Sequence, residues 1–138
     1  MGAATTDRNT RHRAGLVRSF PIAASTKLLA GTMVALNSSG LLVNPSAATT
    51  LKSVGVVQAT YDNSAGLAGA MRAEVYSGVW GPFDNSASAD AIALADVGAD
   101  CWLVDNQTVA KTDGTASRSV AGRISDVTAE GVWVSFPN

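Results

Sequence analysis

The chain has 138 residues, of which 46% are hydrophobic, 6% aromatic and only 15% charged; that length supports one core burying roughly two thirds of the unfolded surface, with no staple needed. One cysteine, Cys101, and one histidine, His12, exclude an internal disulfide and leave a Cys/His zinc site without ligands, so no metal or cofactor is expected. Apolar runs such as Leu28-Leu29-Ala30 and Leu41-Leu42-Val43 fall far short of the roughly 20 residues that cross a bilayer, and the expectation is a soluble protein with no membrane partner.

Soluble domains typically carry about 25% charged residues, so a surface this poor in charge is weakly defended against association. The charge it has is unevenly placed. Residues 1–19 hold Arg8, Arg11, Arg13 and Arg18 against Asp7, a net +3, whereas residues 20–138 hold six basic and ten acidic side chains, a net −4. The chain therefore divides into a basic extended arm over 1–19 and a single β-rich domain over 20–138. Up to about residue 14 the arm lacks hydrophobic periodicity. Such an arm can bind phosphates, lie across an acidic protein surface, or stay a solvated tail. Four arginines without aromatic stacking partners offer too few phosphate contacts for nucleic acid to be an expected partner. No apolar segment follows the first charges, which argues against a secretory signal. Gly2 and Thr6 match the outline of a myristoylation site, a pattern short enough to arise by chance.

Beyond the arm the pattern is β. Short runs rich in Val, Ile, Leu and Thr occupy residues 17–22, 32–36 and 53–59. Residues 71–76, Met-Arg-Ala-Glu-Val-Tyr, alternate with the period of a half-buried strand. Trp80, between Gly78 and Gly81-Pro82, reads as a strand end or turn. Residues 88–96 contain a capping serine and helix-forming alanines, enough for one or two helical turns before Gly98. Strand runs resume at 101–104, 108–111 and 119–125. The last, 131–136, puts Val132, Val134 and Phe136 on one face and Trp133 and Ser135 on the other. Polar turns separate these runs: Asn37-Ser38-Ser39-Gly40, Asp62-Asn63-Ser64-Ala65-Gly66, Asp84-Asn85-Ser86, Asp105-Asn106 and Thr112-Asp113-Gly114. The expected fold class is all-β: a compact small β-barrel or sandwich of short strands with at most one or two short helical turns, preceded by an extended N-terminal arm.

Sliding the chain 67 residues along itself lays Gly31-Thr32-Met33-Val34-Ala35-Leu36 over Gly98-Ala99-Asp100-Cys101-Trp102-Leu103, and Gly55 over Gly122. This order fits two related β units packed into one body. Identity between the copies is low and glycine is frequent here, so the echo serves to support the number of strands.

Catalytic constellations are missing. A Ser-His-Asp or Cys-His relay needs a histidine held in the fold, and His12 sits in the arm between Arg11 and Arg13. Cys101, beside Trp102 and Leu103 in a strand run, reads as a small buried hydrophobe, and Trp102 as core. Asp90, Asp96, Asp100 and Asp105 lack the spacing of a calcium loop and read as a solvated acidic face. No glycine-rich phosphate cradle opens a helix. An enzyme is not expected. Trp80 and Trp133 remain: each either fills a two-sided core or anchors an interface, where tryptophan is over-represented.

Residues 29–36, Leu-Ala-Gly-Thr-Met-Val-Ala-Leu, with Gly40 and Val54-Gly55-Val56-Val57 after them, resemble the start of small tailed-bacteriophage head decoration, or capsid cement, proteins. The likeness continues in order through residues 62–66, 75–80, 95–98, 104–110, 118–122 and 131–134. It implies a β-rich virion protein that binds the outer surface of the capsid, after assembly in the bacterial host cytoplasm. Its partners would be the major capsid protein, whose neighbouring subunits it clamps, and itself, as a homotrimer or a homodimer. Terminal arms are often part of that clamp, so Arg8, Arg11, Arg13, Arg18, Trp80 and Trp133 become candidate contacts to capsid or neighbouring subunit. The alternative is a carbohydrate- or ligand-binding β module with Trp80 or Trp133 as a stacking platform.

Overall fold

The computed structural model describes residues 2–8 and 15–137. The runs of alternating and β-branched residues form strands β1 (Val17–Pro21), β2 (Thr26–Leu28), β3 (Met33–Leu36), β4 (Leu42–Val43), β5 (Lys52–Val56), β6 (Tyr61–Asn63) and β7 (Arg72–Tyr76), followed by β8 (Gly78–Asn85), β9 (Asp100–Leu103), β10 (Thr108–Ala110), β11 (Val120–Thr128) and β12 (Gly131–Phe136). One sheet has the order β1-β7-β5-β3-β4. The second closes into a barrel, β10-β8-β12-β11-β9, and β2 pairs with β6 alone. The protein is all-β.

The two five-stranded sheets are copies of one unit. Matching β1 to β8, β3 to β9, β4 to β10, β5 to β11 and β7 to β12 makes the strand orders identical. The registers agree residue for residue at the offset of 67: Met33↔Val56, Val34↔Gly55 and Ala35↔Ser53 in the first unit, Asp100↔Arg123, Cys101↔Gly122 and Trp102↔Val120 in the second. The bulge therefore falls at the same place in both. Irregular backbone hydrogen bonds recur too. Gly31 N–H donates to Val57 O at 2.7 Å and Gly98 N–H to Ile124 O at 2.9 Å, while Asn37 N–H donates to Leu41 O at 2.9 Å and Val104 N–H to Thr108 O at 3.1 Å. Even the closure is shared: β10 runs parallel to β8, and a parallel bridge Ile22↔Leu42 brings β4 to the end of β1.

The paired glycines have a common cause. A Cβ on Gly55 would lie 2.1 Å from Tyr76 O, and one on Gly122 would lie 2.4 Å from Ser135 O. At this bulge the backbone of the neighbouring strand comes too close for any side chain.

Each unit fills its interior from one face of its strands. Val34, Leu42, Val54, Val57, Ala73 and Val75 do so in the first. Cys101, Leu103, Val109, Ile124, Val132 and Val134 do so in the second. The outer face of β3 and β5 is buried as well: Met33, Ala35 and Val56 join the second unit's cluster, with Leu51 and Tyr76 packed against it. That double burial makes the two units one body. Ser119 adds a polar fastening, its hydroxyl donating to Ala48 O at 2.6 Å and accepting from Leu51 N–H at 3.1 Å.

Two expectations change. The arm does not run to residue 19, because β1 begins at Val17 and pairs with β7 over Val17↔Tyr76 to Pro21↔Arg72; Val17 and Phe20 are β-formers with a partner strand available. The Trp80 segment, read as a strand end or turn, is no turn: Trp80 is the third residue of the eight-residue β8. Its Gly81-Pro82 falls in a register shift between Val132↔Phe83 and Val134↔Trp80, where the missing proline N–H removes no ladder bond. The expected helical turns over 88–96 are present as two 3-10 turns, Ser88–Asp90 and Leu94–Asp96. Between them Asn85 holds both backbone groups of Ile92, donating to its O at 2.8 Å and accepting from its N–H at 2.9 Å, so Ile92 enters the core extended.

Candidate functional site

Arg8 is exposed, in a described stretch, residues 2–8, that is exposed throughout. Arg11, Arg13 and His12 lie outside the described residues. Arg18 is placed differently from a free arm residue. Its strand position turns the guanidinium inward, where it donates to Val54 O at 3.2 Å and Pro137 O at 3.3 Å and lies 5.2 Å from the Phe20 ring centre. Arg18 thus joins the first unit to the end of β12.

Trp80 also works inside the molecule. It stands edge-on to Tyr76 with ring centres 6.1 Å apart, and its indole N–H donates to Ser77 O at 2.8 Å. Trp133 is half-buried on the outer face of β12, its ring covering Gly81. Trp102 is not a core residue. Period-two alternation gives the interior to Cys101 and Leu103 and leaves Trp102 half-exposed on the outer face of β9.

The reactive side chains are spread out. Cys101 is fully buried, and its Sγ meets Gly122 O at 3.5 Å; burial pushes the thiol pKa up to about 12, which leaves a neutral, inert group. Asp90 accepts from the Thr112 hydroxyl and from Arg118 at 3.2 Å, and these contacts, Thr112 first, hold its carboxyl below the ordinary range. Asp96 pairs with Lys111 at 3.6 Å, and Asp105 accepts from Gln107 N–H at 2.9 Å in its own turn. Among the described residues no three His, Cys, Asp or Glu side chains converge as a metal site would require.

A recess lies along the seam between the units. A groove of about 430 Å³ is lined by Leu51, Lys52 and Ser53 from the first unit and by Trp102, Val120 and Pro137 from the second. A second hollow of about 290 Å³ continues from it past Val120 and Gly122 to Arg123, Asp100 and Phe136. Neither holds a nucleophile beside a base; what they offer is an apolar floor with Lys52, Arg118, Arg123 and one carboxylate, Asp100, at the rim. No single residue in the sequence marks this surface. The signal that could have found it is the repeat, which aligns Trp102 and Arg123 with residues buried in the first unit. Comparison of the chain with protein-family models, curated proteins and solved structures finds no match.

Proposed function

We propose that the protein is a structural component of a phage virion, binding the outer surface of the capsid and stabilising it by clamping adjacent major capsid protein subunits. The observation that carries this reading is the pairing of a rigid body, built twice from one β unit, with an exposed segment over residues 2–8 that leads a basic arm. Such a body presents fixed surfaces to a lattice, while the basic arm is drawn to an acidic neighbour. Each contact is weak, and several subunits held together engage the shell at once, so that occupancy rests on multivalency. The ordered likeness of residues 28–136 to decoration proteins points the same way, with self-association as a homotrimer or homodimer. A ligand-binding module using Trp80 draws less support, since that ring is edge-on to Tyr76 and its N–H is already used.

The test is co-sedimentation with undecorated capsids. Deletion of residues 2–14 is expected to lower shell occupancy, most at low salt, where arginine contacts are least screened. Occupancy undiminished at both low and high salt would overturn the role of the arm, and a full-length chain that never sediments with shells would overturn the function.

A further inference from the structure

The internal duplication poses a question at the outer face of the second unit. In the first unit that face, carrying Met33, Ala35 and Val56, is completely covered, because the second unit packs on it. The equivalent residues of the second unit, by register, are Asp100, Trp102 and Arg123. Asp100 and Arg123 are exposed, Trp102 is half-exposed, and Val120 beside them is 38% exposed. One face of one unit is therefore closed once and open once within the same chain.

We propose that a second copy of this chain covers the open face, docking on Trp102, Val120 and Arg123. Three observations select that occupant. The groove is continuous with the seam between the units, since Leu51, Lys52 and Ser53 line it from the other side, so an incoming copy extends an interface the chain already makes. The charge is complementary. Lys52 and Arg123 line this surface beside a single carboxylate, Asp100, and among the described residues neither cation makes an ion pair, whereas Arg118 is already paired with Asp90. Nine of the ten carboxylates of residues 20–138 lie elsewhere on the same body, so a second copy brings the further carboxylates that balance this rim. Finally, Trp102 offers a large apolar ring with a polar N–H, the kind of side chain that dominates the centre of an interface. The inference deepens the multivalent reading above by naming where copies meet.

The experiment is sedimentation equilibrium of the full chain, without capsids, over a wide dilution series. Wild type is expected to associate reversibly. Trp102→Ser and Arg123→Glu should each weaken association, the former about thirtyfold or more, while Leu67→Ser, which removes a large exposed side chain elsewhere (80% exposed), leaves it unchanged. Near-ultraviolet circular dichroism and thermal melts establish that each variant is folded; Arg123→Glu carries the test should Trp102→Ser unfold. A wild-type chain that stays monomeric, or folded variants that associate like wild type, would overturn the proposal. A chain that binds shells as a monomer removes this inference and keeps the capsid function; one that associates through this face yet ignores shells does the reverse.

Discussion

The two units share strand order, register, bulge and the parallel bridge that brings first and last strands together, yet their outer faces have diverged. Where the first unit carries Met33, Ala35 and Val56, the second carries Asp100, Trp102 and Arg123. The interiors changed within the apolar class, Val34 to Cys101 and Val57 to Ile124, because the same cavity has to be filled at the same density. The faces changed in kind. Backbone and core define the unit, and the outer face decides what the unit touches. At equivalent positions of β1 and β8, opposite Val75 and Val134, stand Arg18 and Trp80, and both reach across to the other unit. Arg18 does so by a hydrogen bond to Pro137 O and Trp80 by ring contact with Tyr76.

The harshest way to break the equivalence is at its glycines. Gly55→Ala adds a Cβ 2.1 Å from a carbonyl oxygen at a residue whose φ is +136°, so clash and backbone strain combine to a cost of about 4 kcal/mol. Gly122→Ala meets the same obstacle at 2.4 Å without a positive φ, and its cost should be lower by the strain share, about 1 to 3 kcal/mol. Urea unfolding of both variants measures the pair. Two costs below about 1 kcal/mol would mean that the close approach does not constrain either bulge.

The faces are compared by truncating equivalent residues. Met33 is completely buried between the units, and Met33→Ala should cost about 3 kcal/mol through lost burial and the cavity left behind. Asp100→Ala, at the matching position of the open face, should change stability by less than about 0.5 kcal/mol. Equal costs would show that the second face is not open in the free chain.

Period two and turn chemistry made most of this fold legible. The strands at 71–76 and 131–136 were readable because apolar and polar residues alternate, and the inward set Val132, Val134 and Phe136 follows directly. β8 was hidden because glycine and proline signal a turn, and only the register of β12 reveals that they occupy a bulge. The 67-residue echo rested on two glycine pairs; its physical content, a carbonyl pressed against each glycine, exists only once β7 and β12 are in place. Arg18 read as part of the arm because charge composition cannot say which arginine has a strand partner. The open face was least legible of all. Trp102 beside Cys101 and Leu103 resembles a core run, and exposure follows from what the other unit covers.

Arg18→Ala tests the seam from its polar side. The guanidinium gives hydrogen bonds to carbonyls of β5 and of Pro137, and charge-assisted bonds of this kind, partly solvated, make the loss about 1 to 2 kcal/mol. The same substitution should leave the interior packing of the second unit untouched, so a thermal melt shifts while the near-ultraviolet spectrum of the folded state keeps its shape. A loss of that signature below the melt would make Arg18 a core organiser rather than a tie.

The smallest effect separates the units by pH. In each, a loop joins the first strand to the next strand of the sheet, β1 to β3 and β8 to β9, and each loop is held by a different device. In the first unit β2 pairs with β6 through backbone bonds, which do not titrate. In the second, Asp90 grips Thr112 and Arg118 and so ties the loop after β8 to the segment before β11. Asp62 in the first unit also titrates low, through the hydroxyl and N–H of Ser64, but that contact closes its own turn and joins no two segments. Because the carboxyl of Asp90 is lowered from 3.8 in the folded chain, the unfolded chain takes up its proton first as pH falls. The tie is complete above 3.8 and is lost as pH drops through the lower folded value. Asp90→Asn should therefore melt below wild type at neutral pH, with the gap closing in acid, and Thr26→Ala on β2, where the hydroxyl only donates to Ala24 O, should show a gap that does not vary with pH across the same range. Melts from neutral to acidic pH read both curves; an Asp90→Asn gap that stays constant in acid would show that the loop of the second unit is held, like that of the first, by its backbone.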